Sequence, residues 1–523
     1  MNLRFWQWVA LGAVWGATYL LAATPYCAPL GILSSLGLAL LLERNPRPRL
    51  LEFTLLGFSG LTIAFYWVGS VLGFFLEVSE AMAYLLMALL IAYLTLQFFL
   101  TAVLYRILQR SPRLDKVSLA LPLAWLSIEV LFPKPMPWIW GYTQLENPLI
   151  AQLASLAGAP LISFALLWWS VLLVRILCKL LAGSVAQTVL PSSLLVISFS
   201  LALLYSRSQL AEIEKLNSSE KAFRIGIVQG NNPPLQLYEE QLSMEYLKKY
   251  LRLTQQLPQE SLDLMIWPET SVLKPIWNDE KYVATDFGLG GERIKAPLIF
   301  GGQTYVKDAQ IEGFYNSAVA LSSNGLVAGV YNKDLPFPVA EELPFEHSLG
   351  WFYRLIGRNP KDTKILRGLK TDPLILPNRN SRESLGVAGV SICYEVMFPE
   401  RLAQLARESK LLLLLELSNL SWFKETAALR QHHLLSAWRA IELRRYLVRA
   451  TNTGLTMIID PAGRVVDRAP AFREATLTSD SVRLISTVTI YQQYGEQLLG
   501  LVAYLILVLA GVSYFESRMR SSY

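Results

Sequence analysis

Long apolar runs crowd residues 1–205 and return at 498–515, whereas 206–497 alternates short apolar and polar stretches as a water-soluble domain does. A helix needs about 17–25 apolar residues to cross the hydrocarbon core of a bilayer. By that measure the chain is expected to hold about eight spans, near 5–23, 27–42, 53–76, 81–105, 117–133, 159–178, 188–205 and 497–515, the second and fifth being short. The pattern divides the chain into a membrane region at 1–205, a globular domain at 206–496, and a closing membrane helix with its tail at 497–523.

Within the globular stretch, "FRIGIVQGN" (223–231), "LDLMIWPET" (262–270), "PLIFGGQTYV" (297–306), "GVAGVSICYE" (386–395) and "LLLLLELSN" (411–419) read as strands. "FYNSAVALSSNGLVAGVYNKD" (314–334) reads as a hairpin turning at Asn324-Gly325, and 446–466 as another turning at Pro461-Ala462-Gly463. Helical periodicity marks 239–257, 399–409 and about 425–444. Strands alternating with helices predict a layered α/β domain, and no internal repeat of solenoid period is visible.

Composition sharpens this picture. The chain is 53% hydrophobic and only 17% charged, more apolar than ordinary soluble proteins. Lys and Arg stay on the cytoplasmic side of membrane proteins. With eight spans the basic clusters all share one side: Arg4; Arg44, Arg47 and Arg49; Arg106, Arg110, Arg113 and Lys116; Arg175 and Lys179; Arg518 and Arg520. The alternate loops carry Glu77 and Glu80, or Lys134 with Glu146. Both termini are then expected in the cytoplasm and the globular domain outside it. The net charge of +6 fits this asymmetry, and no aromatic-interleaved basic stripe suggests nucleic-acid binding. Several spans follow the first, so it is expected to be an uncleaved anchor. Cys27, Cys178 and Cys393 are far apart and give no disulfide framework. His347, His432 and His433 offer no metal-ligand spacing, so neither metal nor cofactor is expected.

Reactive groups of α/β proteins gather where strands end, because the rigid sheet presents them into a crevice. Glu269 follows "LMIWP", Lys333 follows "LVAGVYN", and Cys393 follows "GVAGVSI". Each alone has an ordinary reading: a solvated carboxylate, a solvated lysine, and a thiol packed as a small hydrophobe. Together they answer to one mechanism. A thiol needs a base to become a nucleophile near neutral pH, and Glu269 serves if apolar neighbours such as Trp267 raise its pKa. Lys333 offsets that charge and donates to the oxyanion formed on a carbonyl. The backbone N–H of Tyr394 is a candidate second donor, and a helix beginning after Cys393 is expected to favour thiolate.

The stretches "WPET", "YNKDLPFPVAEELPF" and "SICYE" resemble the Glu–Lys–Cys signatures of the nitrilase superfamily. "IVQGNNP", "SNLSWF", "QHHLLSAWRAIELRRYLVRATNTG" and "MPWIWGYTQLENPLIAQLASLAG" extend the resemblance over nearly the whole chain, to its membrane branch, the apolipoprotein N-acyltransferases. The resemblance implies an αββα sandwich displayed outside the cytoplasm on eight membrane helices of a bacterial inner membrane. It implies transfer of a fatty acyl chain from a phospholipid to the α-amino group of a diacylglyceryl-cysteine on an apolipoprotein, through a thioester on Cys393. Glu269 is then the base, Lys333 the oxyanion cation, and Glu341 and Glu395 supporting residues.

Tyr238, Asn419, Trp422 and Phe423 are candidate substrate contacts, as are Trp138 and Trp140, which with Tyr142 suit an interfacial aromatic belt. The apolar loop 343–357 either contacts the membrane or packs the domain, and Glu129 is an intramembrane acid. The chain departs from the family at Leu420, usually Asp; at Lys424, usually Gly; at Tyr238, usually Trp; and at "PVAE" (338–341), usually "PFGE". None removes a reacting group. The same residues would also serve a membrane-tethered amidase that passes the thioester to water. A non-catalytic lipoprotein-binding scaffold would have no need of the set.

Overall fold

The computed structural model describes residues 3–233, 240–281, 294–307, 311–338, 340–343, 345–357, 365–368, 372–381 and 383–521. The chain forms two compact units, one of Met1–Gly69, Tyr84–Glu212 and Thr489–Tyr523, the other of Ser70–Ala83 and Ile213–Val488.

The first unit is helical. Its helices fall where the apolar runs predict them, at Leu3–Leu20, Cys27–Arg44, Leu50–Ala64, Glu80–Leu108, Ala120–Leu131, Ala159–Leu181, Val189–Ser219 and Ile490–Ser521, the last broken by a kink at Gly495. Among the described residues four stretches are long and apolar enough to cross a membrane: Cys27–Arg44, Glu80–Leu108, Ala159–Leu181 and Val185–Ser219. Leu50–Ala64 and Val68–Leu76, bent by 62°, make a fifth if they count as one span. The eight expected spans are therefore not confirmed. Leu3–Leu20 is diluted by Arg4, Gln7 and three tryptophans, and the helix Ala120–Leu131 has only 12 residues.

Trp15, Trp125, Trp138 and Trp140 pack with Phe98 into one aromatic cluster. Trp138 and Trp140 are 1% and 0% exposed, so they are core residues and not the interfacial belt or substrate contacts expected of them. Glu129 accepts from Trp125 Nε1 at 3.0 Å and from the Trp140 backbone N–H at 2.9 Å, which makes it a bracket for the same cluster. Gly16 lets two helices meet closely, since a Cβ there would lie 2.4 Å from the Gly60 carbonyl oxygen.

The second unit is built on two sheets. One runs β13 (Ala475–Arg483), β1 (Ala222–Gln229), β2 (Leu264–Ile266), β4 (Leu298–Lys307), β5 (Glu312–Leu321) and β6 (Val327–Asn332), with β3 (Val272–Trp277) also paired to β4. The other runs β12 (Val465–Arg468), β11 (Met457–Ile459), β10 (Leu447–Thr451), β9 (Leu411–Ser418), β8 (Gly386–Ile392) and β7 (Leu374–Leu376). The sheets meet through β1 with β10 and β5 with β8, while Glu240–Thr254 packs on β1 and β3, Pro399–Glu408 on β8, and Ala427–Leu443 on β10. This is the αββα sandwich. The central strands β1–β2–β4 and β8–β9–β10 are parallel and covered on both faces, which explains the near-continuous apolar run "LLLLL" at the start of β9. The segment 343–357, read as a loop, holds a helix at Glu346–Leu355. Its Tyr353 is buried, while Leu349, Trp351 and Leu355 are exposed.

Candidate active site

Four parallel or paired strands deliver the site. Glu269 lies just beyond β2, Lys333 directly after β6, Cys393 directly after β8, and Asn419 directly after β9. Backbone fit is tight around Glu269: a Cβ on Gly301 would come 2.5 Å from its Cα. Two turns use left-handed backbone, with φ of 57° at Thr270 and 52° at Cys393, a conformation that L-residues adopt at a cost. It turns the chain sharply at the strand end and places the sulfur in the crevice.

Glu269, Lys333, Glu341 and Cys393 line one cavity of about 280 Å3. Lys333 Nζ lies 2.7 Å from Glu341 Oε2 and 3.7 Å from Glu269 Oε1. Asn316 Nδ2 spans both carboxylates, donating to Glu269 Oε1 at 2.8 Å and Glu341 Oε1 at 2.7 Å. The second oxygen of Glu269 accepts from the Asn419 backbone N–H at 2.6 Å, and that of Glu341 from the Phe337 N–H at 2.6 Å. Burial raises Glu269 above the usual carboxylate range, opposed by Lys333 and reinforced by Glu341. Burial alone would lower Lys333, but the two carboxylates outweigh it and keep the ammonium charged. Burial, with Glu269 beside it, pushes the Cys393 thiol well up. The resting group is therefore a thiol. The expected thiolate-favouring helix start is absent: Cys393 opens a five-residue 3-10 turn, and the α-helix begins only at Pro399.

Glu395 is wholly buried behind the site. Its Oε1 accepts from Tyr331 OH at 2.7 Å and from the backbone N–H groups of Asp334 and Leu335 at 2.9 and 3.2 Å. Its Oε2 accepts from the Ile392 N–H at 2.7 Å and faces Arg401 Nη2 at 3.3 Å. One carboxylate thus ties the chain after Lys333 to the residue before Cys393. Burial would raise its pKa, yet Arg401 and these donors bring it below the ordinary range.

Comparison with known proteins places this geometry in a family. The carbon-nitrogen hydrolase model matches residues 224–487, and the apolipoprotein N-acyltransferase N-terminal domain matches 15–172. The apolipoprotein N-acyltransferase of Azotobacter vinelandii is 33% identical, covering 90% of this chain and 89% of its own. The chain belongs to the apolipoprotein N-acyltransferase family. Relatives of the same name from Pseudomonas putida and Geobacter metallireducens are 29% and 26% identical, covering 96% and 87% of this chain and 96% and 85% of their own. With helices long and apolar enough to cross a bilayer, this member of the family is a membrane protein.

The remaining cavity wall is largely aromatic. Tyr394, Trp422 and Phe423 line it, joined by Phe74, Phe75 and Phe337. Phe75 lies 5.6 Å, ring to ring, from both Phe337 and Trp422. Asn419 acts differently from the substrate contact expected of it: its N–H holds Glu269, its Nδ2 donates to Thr270 Oγ1 at 2.7 Å, and its Oδ1 accepts from Asn452 at 3.1 Å. Tyr238 lies outside the described residues.

Sequence reading missed two groups. Asn316, which bridges the carboxylates, was signalled by a lone amide in the apolar strand "FYNSAVAL". Glu416, the one charge in "LLLLLELS", is buried in β9 and paired with Arg449 and Ser436, beside His432. Burial would raise Glu416, but Arg449 and its other partners hold it at about 2. His432, set aside as a metal ligand, forms part of the cavity wall.

Proposed function

We propose that this acyltransferase carries the fatty acyl chain as a thioester on Cys393, taking it from a phospholipid and giving it to the α-amino group of a diacylglyceryl-cysteine on an apolipoprotein. The observation that supports this most directly is the base, ammonium and thiol in one small cavity with an aromatic wall. Glu269 takes the Cys393 proton as sulfur attacks the ester carbonyl of the donor. The oxyanion forms next to Lys333, the C–O bond breaks, and the lysophospholipid oxygen leaves with the proton from Glu269. In the second half-reaction the amine nitrogen attacks the thioester and loses a proton to Glu269. The C–S bond then breaks and the sulfur recovers that proton. The aromatic wall suits an acyl chain, and bilayer residence keeps donor and acceptor concentrated at the enzyme.

The Lys and Arg bias supports an inner-membrane orientation with cytoplasmic termini and an extracytoplasmic catalytic domain. Intact-mass measurement of the purified full chain after incubation with phosphatidylethanolamine tests the thioester. The expected result is an adduct of fatty-acyl mass that disappears when a diacylglyceryl lipopeptide amine is added, and that is missing in Cys393→Ser. Free fatty acid with no acylated lipopeptide would instead assign a hydrolase.

A further inference from the structure

The cavity wall holds polar groups that the mechanism above leaves unused, among them Glu77, Gln303 and His432. His432, in the first turns of the helix Ala427–Leu443, lines the cavity with Cys393 and Lys333 and is 3% exposed. Its Nε2 is buried and has no hydrogen-bond partner among the described residues. A buried imidazole nitrogen without a partner is costly, and its place in the wall of a substrate cavity points to a partner that arrives with substrate.

The other ring nitrogen determines what Nε2 offers. Nδ1 lies 2.9 Å from Arg449 Nη1. Arg449 is a permanent donor, and two N–H groups do not face each other at that distance. Glu416 Oε1 also faces Nδ1 but lies farther off, at 3.3 Å, so the shorter Arg449 contact assigns the lone pair to Nδ1. Burial and the neighbouring Arg449 keep the ring below its ordinary pKa, opposed by Glu416 at 3.3 Å from Nδ1. A neutral ring with a bare Nδ1 carries its proton on Nε2. Arg449 is itself fixed: Glu416 accepts from its Nη1, Ser436 Oγ lies 2.7 Å from that nitrogen, and the Leu455 carbonyl accepts from its Nε at 3.0 Å. The tautomer is set by a rigid buried cluster.

We propose that His432 Nε2–H is a second donor to the oxyanion in both half-reactions, alongside the Lys333 ammonium. This rests on the thioester reading above. Each half-reaction moves the carbonyl π pair onto the same oxygen as a bond to carbon forms, S–C in the first and N–C in the second. Each returns the pair as C–O or C–S breaks. The migrating proton travels by Glu269 in both cases. His432 keeps its own proton throughout and supplies only a hydrogen bond that strengthens as negative charge develops. Lys333 already pairs with two carboxylates, so a neutral donor in the same cavity wall would add stabilisation where the ammonium is shared with its partners.

Two substitutions separate this role from support of the Arg449 cluster. His432→Asn keeps a polar atom near the Nδ1 position and removes the Nε2 donor; His432→Gln places an amide N–H near Nε2 and gives up Nδ1. Single-turnover acylation of the full chain by phosphatidylethanolamine vesicles is followed by intact mass, with thermal unfolding in parallel. Loss of an oxyanion donor costs on the order of 10²–10³ in rate. The Asn variant is expected to acylate about 10²-fold more slowly at saturating lipid, with KM little changed, and the Gln variant to recover a substantial part of that loss. An Asn variant as fast as wild type overturns the proposal. So does a Gln variant no faster than Asn with a lowered melting midpoint, which assigns His432 to structure. Failure of wild type to form any adduct overturns the thioester reading itself, whatever the variants do.

Discussion

Replacing Glu395 with glutamine tests whether one buried carboxylate holds nucleophile and ammonium in register. The change is isosteric, but an amide presents one acceptor and one donor where the carboxylate presents two acceptors. Whichever way it sits, its NH2 faces existing donors: Tyr331 OH and the N–H groups of Asp334 and Leu335 on one side, or the Ile392 N–H and Arg401 on the other. Arg401, also buried, is left with Asp334 at 3.9 Å as its remaining ion-pair partner among the described residues. Breaking a buried pair by removing one charge costs about 3–5 kcal/mol. At about 2–4 °C per kcal/mol for a domain of roughly this size, the melting midpoint should fall by about 6–20 °C. The folded-state pKa of Glu395 is depressed. Its stabilisation is therefore full above the unfolded carboxylate value of about 4.3 and is lost as pH falls through the folded value. The gap between wild type and Glu395→Gln should narrow in acid. Below the melting point, thioester formation should slow on the order of 10²-fold, the cost of a misplacement near 1 Å. Thermal unfolding of the full chain in detergent across pH, with single-turnover acylation, measures both. A midpoint within about 2 °C of wild type at neutral pH, under 1 kcal/mol, with acylation at the wild-type rate, refutes the bracket.

Two further changes probe the site and its rim. Asn316→Ala removes a hydrogen bond that lowers Glu269, so Glu269 ionises at higher pH; the acid limb of the pH profile of thioester formation should move upward, and an unmoved or downward limb contradicts it. Lys424 has φ 48° and ψ −156°, close to a region essentially reserved for glycine; Lys424→Gly should raise the denaturation midpoint, as relief of about 1–3 kcal/mol of strain exceeds glycine's entropic cost of about 0.5–1 kcal/mol. An equal or lower midpoint would show that the exposed loop carries no such strain.

How much of this was legible in the sequence follows from what each feature depends on. Strand ends bearing Glu269, Lys333 and Cys393 could be read locally, because apolar runs of strand length announce where a strand stops, whether it pairs parallel, as β2 and β8 do, or antiparallel, as β6 does. The positions of the membrane-region helices were legible for the same reason. Their number as full spans was not, since Arg4, Gln7 and three tryptophans weaken the first helix and the helix Ala120–Leu131 is short. Trp138 and Trp140 misled because an aromatic pair beside an apolar run looks the same whether it faces lipid or, as here, Trp15, Trp125 and Phe98. The helix Glu346–Leu355 was hidden by an apolar surface that leaves few polar positions to mark its outer face. Asn316 and the Glu416–Arg449–His432 cluster depend on contacts between distant parts of the chain, such as the 47 residues between Asn316 and Glu269. Only a lone polar residue in an apolar strand hinted at them.

A buried thiol with a raised pKa looks at first unsuited to be a nucleophile. The objection fails on charge conservation. Burial raises Glu269 and Cys393 alike, because it disfavours any anion in that cavity. Passing the proton from sulfur to Glu269 removes one anion as it creates another, so the desolvation cost largely cancels. What remains is the difference between the two anions' partners. Glu269 gives up hydrogen bonds from Asn316 and Asn419, while the new charge moves through sulfur to the carbonyl oxygen, within the field of Lys333. In the proposed mechanism the burial that raises the Cys393 thiol would hold the sulfur protonated until a carbonyl is present to receive the charge. A solvated thiolate would lack that restraint. In the proposed reaction, acyl transfer to an amine instead of water needs the same enclosure, and Phe75, Phe337 and Trp422 are rings of the cavity wall suited to it.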